Sequence, residues 1–313
     1  MNIGLLGFGT VGRGFYELAE NSPDIKITAV LSRRPRPELK CLVTDSFEEL
    51  LANGVDITKY RERDMVKLRG KLFSMVFQDP MTALDPTMTV GSQIAEAVIT
   101  HDSKLPKSKV YSRVIELMEL VGIQQPEQRY KLYPYNFSGG MRQRSVMAIA
   151  LAANPQILLA DEPTTALDVT IQAQILDLLK DIQKKLNTAT ILVSHDLGVV
   201  ARAADRVAIM YAGYVMEIGS LEDIFDHKVH PYTEGLFNSL PKINNKGSQL
   251  KPIPGLMVDP ANLPVGCAFA DRCKYATDKC REKRPETRRV SDTHTVTCSR
   301  YDEPDFHIEG VEE

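Results

Sequence analysis

The sequence contains no apolar run near the roughly 18 residues that a membrane-spanning helix needs. Any role at a membrane would therefore be exercised through other chains. No cationic start precedes the first apolar residues, and Gly4, Gly7 and Gly9 interrupt them, so the first 14 residues do not read as a signal peptide. Charge of one sign is also scarce. The net charge of −3 gives no bulk attraction to nucleic acid, which is not expected as a partner. The Arg and Lys residues between 272 and 289 are interleaved with acids and read as a solvated face. Cysteine is almost missing before residue 267, with Cys41 the one exception. What remains is ordinary for a soluble chain: 43% apolar and 25% charged residues. The 313 residues leave room for about two domains.

The densest stretch runs from residue 137 to residue 168. Ser138-Gly139-Gly140 can present backbone N–H groups to an anion, and the helix that follows adds its positive end. Ile157-Leu158-Leu159-Ala160 suits a strand buried on both faces. That strand delivers Asp161 and Glu162 to the carboxyl edge of a parallel sheet, where α/β proteins place ligands. Asp161 is placed to hold Mg²⁺, and Glu162 to polarise a water. Alone, each piece is common. In this order, with Asp168 beyond, the set resembles the ATP-binding subunits of ABC transporters. Ser138-Gly139-Gly140-Met141-Arg142-Gln143 is similar to their signature motif, with Met141 where Gln is commonest. Ile157 to Glu162 is similar to Walker B plus the catalytic glutamate, and Ala166-Leu167-Asp168 to the D-loop.

Residues 1–52 read differently. Met1 to Leu6 and Ile25 to Leu31 are strand candidates, with a helical stretch from Phe15 to Glu20 between them. Gly7-Phe8-Gly9-Thr10-Val11-Gly12 fits GxGxxG, the opening of a dinucleotide-binding βαβ unit. Ser32-Arg33-Arg34 follows the second strand and suits the 2′-phosphate of NADP. The segment resembles the start of homoserine-dehydrogenase-type NADP-binding domains, continued by Asp45 to Leu51. No substrate domain accompanies it, and the plain alternative is a βα unit whose glycines only permit tight packing.

From Asn53 the chain resembles the ABC ATPases again. Met75 to Pro80 is similar to the Q-loop, and the resemblance implies that Gln78 reaches Mg²⁺ and the attacking water. Residues 81–135 match the helical subdomain, with Ile94, Ala97, Val98, Val114, Leu117, Met118 and Val121 at helical spacing. Ile171 to Leu186 is a long helix with Ile175, Leu178, Leu179 and Ile182 on one face. Ala189 to Val193 is the next buried strand, ending at His195, which matches the switch histidine. Asp205 to Tyr211 and Tyr214 to Ile218 are expected to close the sheet through an Ala212-Gly213 turn. No GxxxxGK[ST] occurs anywhere in the sequence. Gly7-x4-Gly12-Arg13-Gly14 keeps only the outer glycines of that loop, with Arg13 in place of Lys and Gly14 in place of the Mg²⁺-binding hydroxyl. Weak or no Mg-ATP binding at the chain's own site follows, and either residues 1–31 replace the missing strand or the sheet has a gap.

His230-Pro231-Tyr232-Thr233, Leu240-Pro241 and the Pro-rich run to Pro264 resemble the C-terminal extension of the oligopeptide, dipeptide and nickel importer ATPases. Cys267, Cys273, Cys280 and Cys298 follow, at spacings of x5, x6 and x17. Metal explains them better than disulfides in a cytoplasmic chain. Zinc, an iron–sulfur cluster and free thiols all remain open on spacing alone. The resemblance implies a 4Fe–4S cluster. His294 is an outside candidate ligand, with a solvent-facing turn residue as its alternative.

The fold class is therefore α/β. Residues 53–240 form an incomplete P-loop NTPase-type ABC ATPase core with a helical signature subdomain. A Rossmann-like fragment (1–52) precedes it and a loop-rich, cysteine-bearing extension (241–313) follows. The resemblance implies a catalytic set of Glu162, His195 and Gln78. Nucleotide is met by Ser138, Gly139, Gly140, Met141, Gln143, Asp161 and Asp168, with Gly7, Gly9 and Gly12 in the foreign loop. Mg²⁺ falls to Asp161 and Gln78. The implied cofactors are ATP, Mg²⁺ and the cluster. The implied partners are membrane-spanning permease subunits, a second ABC ATPase subunit and, indirectly, an extracytoplasmic peptide-binding protein. The implied place is the cytoplasmic side of the plasma (inner) membrane. The alternatives are an NADP-dependent dehydrogenase or a non-functional fusion.

Overall fold

The computed structural model describes strands at residues 2–6, 26–31 and 42–44 by their backbone, and residues 68–165, 167–240, 252–259, 262–303, 306 and 308 in full. Gly7, Gly9, Gly12 and Cys41 lie outside the described residues. Contacts divide the chain into Tyr60–Ala204 and a second unit of Met1–Lys59 with Asp205–Glu313.

In the second unit, β1 (Asn2–Leu6), β2 (Lys26–Leu31) and β3 (Leu42–Thr44) make a parallel sheet in the order β1-β2-β3. The third strand, of 3 residues, is too short for its pattern to announce it.

In the unit Tyr60–Ala204, β4 (Phe73–Val76) is followed by six helices before the last strand of its sheet. They are α1 (Pro80–Ala83), α2 (Val90–His101), α3 (Lys107–Leu120), α4 (Pro126–Arg129), α5 (Gly139–Ala150) and, after β5 (Ile157–Asp161), α6 (Val169–Leu186). Then come β6 (Ala189–Val193) and α7 (Leu197–Ala203). The strands pair in parallel in the order β4-β5-β6. The helices bury the stripes their spacing predicts: Ile94 and Val98 in α2, Val114, Leu117 and Met118 in α3, and Ile175, Leu178, Leu179 and Ile182 in α6. One core joins these side chains to Val76, Leu158 and Ala160 of the sheet.

Two expectations about this sheet change. The strand β6 is half-buried, and Val193 is 53% exposed. Its sequence suits a central strand, yet β5 is its sole partner among the described residues. Nor do β1 and β2 take the place beside β6; they pair with each other and with β3. Among the described residues this sheet therefore ends at β6.

The hairpin β7 (Arg206–Tyr211) and β8 (Tyr214–Ser220) does not close that sheet either. Ala212 and Gly213 have φ of +49° and +80°, as a two-residue type I′ turn requires. After α8 (Leu221–Phe225), α9 (Pro231–Asn238) and α10 (Lys279–Glu282), the strands β9 (Thr287–Arg289) and β10 (Thr295–Thr297) join the hairpin in the order β7-β8-β10-β9. Thr295 pairs with Ile218 and Val296 with Glu217. The compact unit thus begins at residue 205, upstream of the change in composition at 241, because the tail supplies strands to the hairpin.

Gly140 tests how tightly the helices pack. A Cβ there would stand 2.6 Å from Ile171 Cγ2 of α6. Helix propensity alone makes Gly140→Ala favourable by about 1 kcal/mol. Overpacking against a stiff β-branched side chain costs roughly 1–3 kcal/mol. Thermal unfolding of Gly140→Ala should show a net loss, and adding Ile171→Ala should make the alanine at 140 neutral or stabilising relative to the Ile171→Ala single variant. A Gly140→Ala protein as stable as the parent contradicts this packing.

Candidate functional site

The register Val76–Ala160–Leu192 sets three parallel strands side by side. Each chain leaves the sheet at the same edge within a few residues. Gln78, Glu162 and His195 therefore meet. Gln78 Nε2 donates to Glu162 Oε2 at 2.7 Å. His195 Nδ1 lies 2.7 Å from Glu162 Oε1. Thr165 Oγ1 also donates to Glu162 Oε2, at 2.9 Å. The backbone of Glu162 is left-handed, with φ +42°, which is strained for a residue with a Cβ. Its N–H donates to the Val193 carbonyl at 2.9 Å, so β6 holds the strained residue in place.

The bond to His195, then that from Thr165, holds the Glu162 carboxyl below the usual carboxylate range. The same bond raises the His195 imidazole above its ordinary value. His195 keeps 75% of its side chain exposed and Glu162 keeps 21%. The pair is thus a solvent-accessible charge site, suited to orienting a water or a phosphate. Asp161 ends β5 beside Val193. Thr165 was not singled out by sequence reasoning; its signal is a hydroxyl three residues after a strand-end acid.

The turn before α5 forms a second part. Ser138 caps the helix, accepting the Met141 N–H on Oγ at 3.4 Å. Ser138 and Gly139 are exposed, while Gly140 is buried. Gly139 and Gly140 face Leu167 and Ile171, so the turn packs beside the loop that carries Asp168. Asp168 caps α6, accepting the Ile171 N–H at 3.0 Å. Met141 packs partly against the core, and its Sδ accepts from Arg129. Gln143 does not share the open face: it is 1% exposed, with its Nε2 unpaired.

The third part is the cysteine pocket in the other unit. Cys267, Cys273, Cys280 and Cys298 line one small pocket, although Cys298 follows Cys280 by two strands and a turn. Close backbone approach makes this possible. The Cys267 N–H donates to the Cys280 carbonyl at 2.8 Å, and a Cβ on Gly266 would stand 2.3 Å from that oxygen. Each sulfur has a polar neighbour. Backbone N–H groups of Phe269, Tyr275 and Arg300 act on Cys267, Cys273 and Cys298. Thr277 Oγ1 lies 3.6 Å from Cys280 Sγ. Burial nonetheless pushes the Cys273 and Cys298 thiols up, to about 11 and about 12. Among the described residues no three His, Cys, Asp or Glu side chains stand close enough to hold a single metal ion.

His294 is neither a pocket ligand nor a turn residue in solvent. It is 2% exposed, and its Nε2 lies 2.8 Å from Glu217 Oε1. Glu217 also accepts the N–H groups of Val229 and His230, at 2.7 and 2.9 Å. The histidine that does line the pocket is His230. Burial drives its imidazole down to about 4. Sequence spacing could not have paired it with cysteines 37 to 68 residues away; its placement depends on Glu217.

Comparison with known proteins identifies the family. Residues 39–165 match the ABC transporter family model, and residues 216–280 match that of the oligopeptide/dipeptide transporter C-terminal region. The oligopeptide transport ATP-binding protein OppD of Bacillus subtilis is 53% identical over 79% of this chain and 69% of its own. The dipeptide transport ATP-binding protein DppD of the same organism is 49% identical over 87% of this chain and 80% of its own. A solved dimeric bacterial ABC transporter cassette overlaps 54% of this chain and 71% of its own at 26% identity, with a TM-score of 0.48.

The Glu162–His195 pair has a pH signature. A raised imidazole keeps its charge to higher pH. With Glu162 ionised, the ion pair is complete below the ordinary imidazole value of about 6.5 and is lost as pH rises through the raised value; at the acid end it is lost as pH falls through the lowered carboxyl value. Histidine NMR should show His195 titrating above the ordinary value and falling back towards it in Glu162→Gln. A His195 that titrates at or below the ordinary value in the parent contradicts the pairing.

Proposed function

Because this chain belongs to the ATP-binding subunits of oligopeptide and dipeptide ABC transporters, we propose that it couples ATP binding and hydrolysis to the import of di- or oligopeptides. It would do so on the cytoplasmic side, through membrane-spanning permease partners and a second ATP-binding subunit. The observation that carries the reading is the meeting of Gln78, Thr165 and His195 on the Glu162 carboxylate.

In this mechanism Glu162 polarises the attacking water, and its low pKa keeps it ionised at neutral pH. Gln78 and His195 occupy the carboxylate oxygens that a water must share. Turnover therefore requires that one of them move aside. His195, exposed and with its imidazole raised by Glu162, is suited to a phosphate oxygen. The donors present suit Mg²⁺: Asp161 at the strand end and the Gln78 amide oxygen, opposite its donating nitrogen. Bound Mg²⁺ would neutralise charge on the transferred phosphate.

The missing GxxxxGK[ST] bears on which half of the chain works. With no phosphate loop and no Walker lysine in the sequence, the chain's own nucleotide site is weak. Ser138 and Gly139, exposed at the positive end of α5, would complete the site of a second subunit that carries its own phosphate loop. Isolated chain should bind Mg-ATP poorly. Mixed with such a subunit and the permease, it should support hydrolysis. Ser138→Arg should lower that hydrolysis roughly a hundredfold, while Glu162→Gln should leave most of it. Tight Mg-dependent ATP binding by the isolated chain overturns this reading.

The cysteine pocket would hold a 4Fe–4S cluster. Four thiols from three segments converge there, each with a hydrogen-bond donor. Among the described residues no three side chains are placed to hold a single metal ion, and four cysteine thiols are the donor set such a cluster takes. When bound, it would take these thiols as thiolates and tie the segments together. Protein purified without air should contain iron and acid-labile sulfide in equal amounts, and Cys280→Ser should lose most of both. Iron-free, zinc-loaded protein rules the cluster out.

A further inference from the structure

His230 starts α9 as its N-cap, and its two ring nitrogens face different surroundings. Nδ1 accepts the backbone N–H of Tyr232 at 3.0 Å. A ring nitrogen that accepts carries no proton, so in the neutral imidazole the proton sits on Nε2. Nε2 meets no hydrogen-bond partner, although the residue is only 1% exposed. The ring lines the pocket shared by Cys267, Cys273, Cys280 and Cys298.

A buried N–H without an acceptor is costly. No cysteine sulfur is a hydrogen-bond partner of Nε2, so the acceptor would come from what the four-cysteine pocket holds. A ligand role would require a lone pair on Nε2. The proton would then have to move to Nδ1, against the Tyr232 N–H. A competing acceptor is the Thr297 backbone, which acts on the ring without making a hydrogen bond to Nε2 by distance and angle.

We infer that His230 donates a hydrogen bond from Nε2–H to a sulfur of the cluster held by these four cysteines, and is not one of its ligands. The inference rests on the cluster reading above. Its consequence is electrostatic. An N–H directed at a cluster sulfur stabilises the more negative, reduced form and raises the potential. The residue is a positioning and tuning group, and the same ring fixes the start of α9.

Two substitutions separate these roles. His230→Asn keeps an oxygen where Nδ1 stands, so the cap survives while the distal donor is lost. His230→Gln keeps an N–H near Nε2 and loses the cap. The full chain, purified without air, is titrated potentiometrically, with the reduced cluster read by electron paramagnetic resonance. His230→Asn should change the redox equilibrium about three- to tenfold towards the oxidised form, a fall of about 30–60 mV for one electron. His230→Gln should stay within about threefold of the parent. An unchanged potential in His230→Asn overturns the inference and gives the proton to Thr297. An equal fall in both variants overturns it in favour of the cap. If His230→Asn assembles no cluster, His230→Gln decides: a potential near the parent supports the donor and a larger shift overturns it. A parent protein without iron and sulfide instead removes the cluster reading, and this inference with it.

Discussion

Parallel pairing in register is the constraint on which the candidate catalytic site depends. Val76, Ala160 and Leu192 stand in one row across β4, β5 and β6. Because parallel strands all end at one edge, the residues just past that row must share a small volume. Gln78, Glu162 and His195 come from points 84 and 33 residues apart in the chain, yet all lie within hydrogen-bond reach of one carboxylate. A slip of one residue in β5 would turn Glu162 to the other face. The strained φ of Glu162 belongs to the same constraint. The Val193 carbonyl holds its N–H, and the strain aims the carboxylate at its partners.

A second anchor organises the other unit. The side chain of Glu217 is fully buried in β8 and is paired with His294. It also binds two successive backbone N–H groups before α9. A buried carboxylate persists only when its oxygens are satisfied. That requirement draws the hairpin, the start of α9 and the approach to β10 to one point. His230 is thereby set against the cysteine pocket, and β10 delivers Cys298 to it. The extension is thus built into the hairpin's sheet and is not an appendage to it.

The helices of the signature subdomain were legible because their stripes repeat at 3.6 residues, a signal that needs no tertiary information. The strands Ile157–Asp161 and Ala189–Val193 were legible as apolar runs between turns. The burial of β6 was not. An apolar strand looks the same at the centre and at the edge of a sheet, and only the presence of a neighbour decides which it is. The roles of small residues were also ambiguous. Gly140 reads as a glycine for anion approach, whereas the structure shows a second reason, the methyl of Ile171. His294 read as an outside candidate ligand or a solvent-facing turn residue because a lone histidine carries no record of the buried carboxylate beneath it.

By itself the sequence determined the family and the long, periodic elements, since motif order and hydrophobic period are properties of the chain. Tertiary structure alone decided which side chains touch. It gave Glu162 to Gln78, Thr165 and His195, gave His294 to Glu217, and set His230 among the cysteines. Those pairings join residues tens of positions apart, and only strand register and the satisfaction of buried polar groups specify them.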